Sequence, residues 1–372
     1  MRLSGRQGAY RSTLDKPEPM TRDLNAAILS LATDSPPHII TQVDVARHAT
    51  RVFGEAFPDY RRLAKVFETS GVVERRAAMP LEWYLTERGF QERTAAYLDV
   101  ATALFVSSAR KALDSARLKG SDVDAVVTVS STGIATPSLE ARAAEALGFR
   151  TDVRRVPVFG LGCAGGASGL GIAARQAASE PGSVVLLVVV ELCTLSARID
   201  KPDKANLVAV ALFGDGAAAA VLRSGDTCAG QPVVRQAAER SWPDTLWLMG
   251  WDVDASGFSV IFDRAIPPFA SEHVGPAMTD MLSRWGRSRE SVGRYICHPG
   301  GAKVITALEG ALGAPAGSLD HERDVLSRFG NMSAPTVLFV LERAMRAGLP
   351  QTSVAAALGP GFTFSAALLE MA

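Results

Sequence analysis

The chain has 372 residues, 47% of them hydrophobic, with 39 basic and 39 acidic side chains. Such a length holds a substantial core and suggests about two domains. The balanced charge gives no case for nucleic acid or an anionic membrane as the main partner. Four cysteines, at 163, 193, 228 and 297, form no C-x-x-C pair, which argues against a zinc site or a disulfide framework and for free thiols in a reducing cytoplasm. The most apolar run, Val184 to Val190, is strand-sized and well short of the roughly 20 residues a membrane helix needs. No apolar segment followed by a cleavage site marks a signal peptide near the N-terminus.

In chain order, residues 1–36 read as an N-terminal extension, with Lys16-Pro-Glu-Pro19 inside it and a short amphipathic piece over Asn25 to Leu31. It is expected to be ordered only against a partner subunit. His38 opens the first expected strand, and Gln42 to about Glu68 is helical in pattern. There Arg61, Arg62 and Lys65 alternate with Leu63, Val66 and Phe67, as on a solvated helix face or in a phosphate contact. Pro80 begins another helical stretch. Tyr97 to Leu118 is a strong helix, with Ala101, Leu104, Phe105, Ala109 and Leu113 at helical spacing. A buried strand over Asp122 to Ser130 follows, then a loop, then a helix that Ser138 caps and that runs to Leu147. Val153 to Phe159 is a strand feeding a glycine turn at Cys163, with a helix to about Ala178 and a strand from Ser183 to Val190. This alternation signifies an α/β domain with a largely parallel sheet.

Leu207 to Phe213 and Ala217 to Leu222 read as two strands joined through Gly214-Asp215-Gly216. Further strands are expected near 233–238, 245–249 and 257–262, a helix over 271–285, a short strand over 294–298, helices over 302–312 and 333–347, and two closing strands. The run 207–222 resembles 354–369: each is an apolar stretch, a Gly-x-Gly turn and a second apolar stretch. That echo suggests two similar halves joined near residue 225.

The segment Gly160-Leu-Gly-Cys-Ala-Gly165 has three readings. It matches G-x-G-x-x-G between a strand and a helix, with Glu191 placed as a ribose-binding acid. It also sets Cys163 where a helix starts, among unpaired N–H groups and positive partial charge that favour a thiolate. The third reading is a purely structural turn. Two further loops bear on the choice. Cys297-His298-Pro-Gly-Gly301 puts a histidine at a strand end, and Gly330-Asn331 puts an asparagine ahead of a helix. Each alone reads as a turn residue. With Cys163 they form a coherent site, because imidazole can sustain the thiolate and imidazole and carboxamide can both donate to a thioester oxygen as charge builds on it. Cys297, beside His298 on a strand, points to the opposite face. Cys193 and Cys228 read as packing residues, although Cys193 lies just past a strand end and could line a pocket.

The motifs Gly160-Leu-Gly-Cys-Ala-Gly-Gly166, Leu212-Phe-Gly-Asp-Gly-Ala217, His298-Pro-Gly-Gly301, Gly330-Asn-Met-Ser333 and Gly359-Pro-Gly361 resemble, in order, those of the type III polyketide synthases, the chalcone synthase-like branch of the thiolase-fold condensing enzymes. The resemblance runs from about residue 38 to the C-terminus and outweighs the nucleotide reading. It implies a five-layer αβαβα thiolase-like fold with two pseudo-duplicated halves: 37–225 carrying the nucleophile, 226–372 carrying the histidine and asparagine. It implies that Cys163 takes an acyl group from a CoA thioester, and that His298 and Asn331 hold malonyl-CoA and stabilise the enolate left by decarboxylation. No metal or organic cofactor is implied; the implied substrates are acyl-CoA and malonyl-CoA, the assembly a homodimer and the setting cytoplasmic. Phe213 matches the family's bulky residue at the mouth of the cavity and Ser333 a cavity-lining serine. Cys193 and Ser196 stand for cavity-lining threonines, Thr136 for a larger apolar residue near the dimer interface, and Arg61, Arg62 and Lys65 fall roughly where CoA phosphates bind. Val260 replaces a second bulky gatekeeper. That loss predicts a wider cavity or channel, a medium or long aliphatic starter, and an alkylpyrone or alkylresorcinol product. Ser131 stands where naphthalenetetrol-forming relatives tend to carry cysteine. The nearest rival is a β-ketoacyl synthase III-like enzyme making one condensation; a nucleotide-binding protein and a non-catalytic thiolase-fold scaffold are further alternatives.

Overall fold

A computed structural model describes residues 23–225 and 230–372. Residues 16–19 of the expected extension and Cys228 lie outside the described residues. The first half contains β1 (Ala26–Asp34), β2 (His38–Thr41), α1 (Gln42–Phe53), α2 (Tyr60–Leu63), α3 (Lys65–Thr69), β3 (Glu74–Ala77), α4 (Phe90–Ser115), β4 (Ala125–Val129), α5 (Leu139–Leu147), β5 (Arg154–Val158), α6 (Gly165–Ser179), β6 (Val184–Leu192), α7 (Lys204–Leu212) and β7 (Asp215–Ser224). The second contains β8 (Pro232–Ser241), β9 (Met249–Asp254), β10 (Gly257–Phe262), α8 (Ile266–Arg284), β11 (Arg294–Cys297), α9 (Ala302–Leu312), α10 (Asp320–Phe329), α11 (Pro335–Ala347), β12 (Thr352–Gly359) and β13 (Thr363–Met371).

Nine strands join in the order β11-β12-β13-β8-β1-β7-β6-β4-β5. The order reads as two matching halves that meet where Ala26 pairs with Val234 and Ala27 with Val233. From that seam outward, β8 answers β1, β13 answers β7, β12 answers β6 and β11 answers β4. The sequence explains the centre. Val-Val-Leu-Leu-Val-Val-Val-Glu-Leu of β6 is buried at every position, as a strand covered on both faces must be. Helix α6 is built from glycine, alanine and other small residues and is buried around most of its circumference, the pattern of a helix inside a core. It packs with α11 between the two half-sheets. Closeness there depends on Gly166, where a Cβ would stand 2.2 Å from the Ala334 carbonyl oxygen and 2.5 Å from Val337. Helices α4 and α5 cover the outer face of the first half-sheet, and α8 and α9 that of the second. The result is the expected five-layer αβαβα arrangement.

Several elements differ from the sequence reading. Asn25 to Leu31, expected as an amphipathic piece of an extension, lies largely in β1, a strand inside the sheet and paired with β7 from Ala26 to Asp34. The polar, proline-containing stretch before it hides a strand whose burial is set by its neighbours. Leu207 to Phe213 is not a strand but most of α7. The apolar run is ambiguous in period, and Asp203 decides it by accepting the Asn206 N–H at 2.7 Å as a helix cap. The echo between 207–222 and 354–369 therefore matches a helix with β12, and only β7 and β13 in it truly correspond. Strand β9 begins at Met249, where the expected strand 245–249 ends, and it pairs only with β10, outside the large sheet. The stretch after Pro80 is a single 3-10 turn, Leu81–Leu85. Ser138 occupies the N-cap position of α5, yet its hydroxyl bonds the Glu140 carboxylate rather than a backbone N–H. Strand β5, which feeds the Cys163 turn, is a half-exposed sheet edge.

Candidate functional site

Cys163 lies in the one-turn segment Gly162–Ala164 that links β5 to α6. The turn is tight: Gly162 has φ +48, and a Cβ there would meet the Pro360 ring at 2.7 Å. Ser131, at the end of β4, fixes it from the side. Its hydroxyl oxygen accepts the N–H groups of Gly160 at 3.1 Å and Gly162 at 3.3 Å.

His298 follows β11 directly. Its backbone N–H continues the strand ladder to the Ala356 carbonyl at 2.8 Å. Asn331 follows α10 and is held by its backbone: its N–H reaches Leu212 O at 2.8 Å and its carbonyl accepts Gly214 N–H at 3.0 Å. The Asn331 side-chain oxygen accepts the Ser333 N–H at 2.8 Å, and the amide nitrogen donates to Gly300 O at 3.2 Å, which leaves its second N–H for the Cys163 sulfur. Cys163, His298 and Asn331 line one cavity, shared with Met249, Phe262 and Ile266. The three side chains expected from three distant loops thus come together.

The electrostatics depart from expectation. A helix start favours thiolate, but burial pushes the Cys163 thiol up to about 11, against hydrogen bonds from Ser333 and Asn331 that pull it down. The helix end contributes about 1 kcal/mol, less than a tenfold change in acidity, and removal of water from even a half-buried thiol such as Cys163 outweighs it. His298 is pushed down to about 3 by burial, so it rests as neutral imidazole. Neither of its ring nitrogens has a hydrogen-bond partner among the described residues. A neutral imidazole facing a thiol can take the sulfur's proton from one nitrogen lone pair, or donate its N–H to a carbonyl oxygen of a bound substrate.

Glu191, placed by the nucleotide reading as a ribose acid, is fully buried. It accepts the Ser131 N–H at 2.9 Å and the Thr132 hydroxyl at 2.7 Å, and burial raises it to about 8. It therefore supports the β4 loop beside Cys163 and is not open to a nucleotide.

The other expected residues divide. Ser333, buried with φ +58, bonds the thiol directly. Phe213 bridges to Asn331 along the backbone, and Arg75 fixes its approach by donating to the carbonyls of Phe213 at 3.1 Å and Ala211 at 3.2 Å. Phe213, Cys193 and Ser196 line a second, apolar cavity with Val45, Ala49 and Val52 of α1. Cys297, expected on the opposite face, is a buried core thiol raised well above its ordinary value by burial, and it lines the triad cavity with Cys163 and His298. Val260 sits on β10, opposite Trp251 on β9. Thr136 is exposed, in a loop with a cis bond to Pro137. Arg61 and Lys65 are exposed on α2 and α3 and line neither cavity.

Trp251 is the residue the sequence reading missed. Its ring meets Phe213 edge to face at 6.1 Å and Phe258 at 5.9 Å, and Phe258 meets Phe90 at 6.2 Å. The aromatic bulk lost at Val260 returns from the facing strand. Only the pairing of β9 with β10 could have revealed it, and the expected strand 245–249 stops short of Trp251.

Among the described residues no group of side chains is arranged to hold a metal ion, and no helix is long and apolar enough to cross a membrane. Residues 18–226 match the family model for chalcone and stilbene synthases, N-terminal domain, and residues 234–371 match that for the C-terminal domain. The chain is 40% identical to a 1,3,6,8-tetrahydroxynaphthalene synthase of Streptomyces peucetius subsp. caesius, over 94% of each chain. It is 29% identical to the alpha-pyrone synthesis polyketide synthase-like Pks18 of Mycobacterium tuberculosis, over 93% of this chain and 91% of that one. The crystal structure of 1,3,6,8-tetrahydroxynaphthalene synthase from Streptomyces coelicolor A3(2) superposes with a TM-score of 0.88 at 28% identity, covering 93% of this chain and 99% of that one.

Proposed function

Because the chain belongs to the type III polyketide synthases of the chalcone and stilbene synthase family, and so is an acyl-condensing transferase, we propose that it loads an aliphatic acyl-CoA starter on Cys163 and extends it with malonyl-CoA. His298 takes the thiol proton as sulfur attacks the thioester carbonyl, and CoA thiol leaves with a proton. Malonyl-CoA then loses CO2, and the electron pair of the broken C–C bond becomes an enolate. His298 and the Asn331 N–H that otherwise meets the Cys163 sulfur donate to its oxygen. The enolate carbon attacks the Cys163 thioester, forming a C–C bond and releasing the cysteine sulfur. Repetition and ring closure lead to an alkylpyrone or alkylresorcinol.

The observation that favours an aliphatic starter is the second cavity, whose walls are largely apolar side chains of α1 and α7 and which reaches Phe213, Cys193 and Ser196. A medium or long chain would gain about 0.8 kcal/mol for each methylene it buries there. Arg61 and Lys65, both exposed, are assigned to the CoA phosphates. The exposed apolar Ile134 and Phe159 flank the Thr136 loop and are assigned to a homodimer contact, in a cytoplasmic protein. A second reading has one specific support: the 40% identical relative is a 1,3,6,8-tetrahydroxynaphthalene synthase, which favours a product assembled without an aliphatic starter.

Incubation with acyl-CoAs of graded length and labelled malonyl-CoA, followed by mass spectrometry, separates the two. Alkylpyrone or alkylresorcinol products that track starter length are expected, and are lost in Cys163→Ala. A single product containing only malonyl carbons, whatever starter is offered, establishes the second reading instead. Val260→Phe, which crowds the Trp251 and Phe213 rings, should cut turnover of long starters severalfold more than short ones; full activity on long starters would count against the channel.

A further inference from the structure

Strand β11 ends the nine-stranded sheet and pairs only with β12. Successive N–H groups of a strand point to opposite sides. His298 N–H points inward to Ala356, so Cys297 N–H points off the sheet edge, where no further strand among the described residues accepts it. Glu322 supplies the acceptor. Its carboxylate is fully buried, and Oε1 accepts Cys297 N–H at 2.8 Å. Oε2 has no hydrogen-bond partner, and Arg294 on β11 approaches it only to 3.8 Å. A buried carboxylate held mainly by one backbone N–H is costly, and an amide oxygen could satisfy the same donor. Its placement is what distinguishes it.

Glu322 belongs to the first turn of α10, a helix of ten residues that ends at Phe329. Two residues later comes Asn331. One helix thus grips the strand end that carries His298 and delivers Asn331 from its far end, roughly 10 Å along the axis from Glu322. Its last turn is tied in turn by Val73 N–H to Ser327 O at 2.8 Å.

We propose that Glu322 is a positioning residue for malonyl-CoA decarboxylation, pinning the end of β11 to α10 so that His298 and Asn331 face the same enolate oxygen. The proposal rests on the role given above to His298 and Asn331. Oxyanion donors are effective only when placed to within a fraction of an ångström, and a displacement of about 1 Å can cost on the order of a hundredfold. Cys163 is itself held from β4 and α6, so the brace reaches its reactivity only through its neighbours Asn331 and His298.

The test measures CO2 release from malonyl-CoA in Glu322→Met, Glu322→Asp and Glu322→Gln, with the rate of Cys163 alkylation by iodoacetamide as a readout of a folded nucleophile. Methionine keeps the volume and removes the acceptor; aspartate keeps the charge but withdraws it. Both should lower kcat for decarboxylation by tenfold or more with KM little changed, and by clearly more than they slow alkylation. Glutamine, which keeps the accepting oxygen, should restore most of the rate. Where the methionine protein does not fold, aspartate carries the measurement. Wild-type decarboxylation in folded Glu322→Met or Glu322→Asp overturns the proposal, as does a loss in Glu322→Gln as deep as in Glu322→Asp. His298→Ala is run alongside. If it decarboxylates normally, the role of His298 fails; if it is inactive while the Glu322 variants are not, only the brace fails.

Discussion

At the scale of single residues, three loop positions stood out in the sequence as a candidate site, and the fold gathers all three around one cavity. What the sequence could not weigh was burial around the sulfur. The turn and the helix start at Cys163 are visible as a glycine pattern, whereas the depth of burial is a property of the layers stacked on both sides. Burial wins, and the resting pair is thiol and neutral imidazole. The hydrogen bond from Ser333 opposes burial and lowers the Cys163 value. Ser333→Ala removes it, so the thiol rises further and less thiolate is present at any fixed pH. Alkylation of Cys163 by iodoacetamide at pH 8 should slow by severalfold in this variant, since well below the pKa the thiolate fraction falls in direct proportion to the thiol's acidity. Unchanged or faster alkylation would mean that Ser333 does not stabilise the anion.

At the scale of elements, the sequence was legible where period, cap and length agree. The helix read over 302–312 coincides with α9, and the strand over 257–262 with β10. It was not legible where a short apolar run fits both periods, as at α7, or where an element's partners lie far away in sequence, as at β1. Trp251 belongs to the second kind, since its meaning arises only from the strand opposite. Helix α6 shows a different dependence, on space rather than period. With Ala334 O at 2.2 Å and Val337 at 2.5 Å from a Cβ on Gly166, even one methyl must push α6 from α11. Overpacking of this kind costs about 1–3 kcal/mol. Because Cys163 leads into α6 and Ser333 leads into α11, the same displacement opens the bond between thiol and hydroxyl. Gly166→Ala is expected to melt several degrees lower and to condense more slowly, whereas Gly310→Ala, where a Cβ meets nothing within 4 Å, should do neither. Equal melting temperatures for the two variants would refute the close-packing account.

For the molecule as a whole, the two halves were anticipated from an echo that pairs the wrong elements, yet the sheet does mirror itself about β1 and β8. Doubling the half-sheets and stacking them on α6 and α11 buries polar groups as well as apolar ones. Burial raises Glu191 from 4.5 to about 8, Asp215 from 3.8 to about 7 and Glu322 from 4.5 to about 7. In each case the folded chain holds its proton to a higher pH than the unfolded chain does. Between the two values the unfolded state binds fewer protons, so stability falls as pH rises. His298 acts in the opposite sense, because its folded value of about 3 lies below its ordinary 6.5, and stability gained from it rises with pH only up to about 6.5. Above that point the three carboxyl groups act unopposed by it. The melting temperature at fixed protein concentration should therefore fall from pH 6.5 to pH 8.5. Glu191→Gln cannot ionise at that position, so its decline over the same window should be smaller. A melting temperature that climbs across this interval, or an undiminished decline in Glu191→Gln, would show that these carboxyls are already ionised in the native fold and that the packing around Cys163 is wetter than the structure describes.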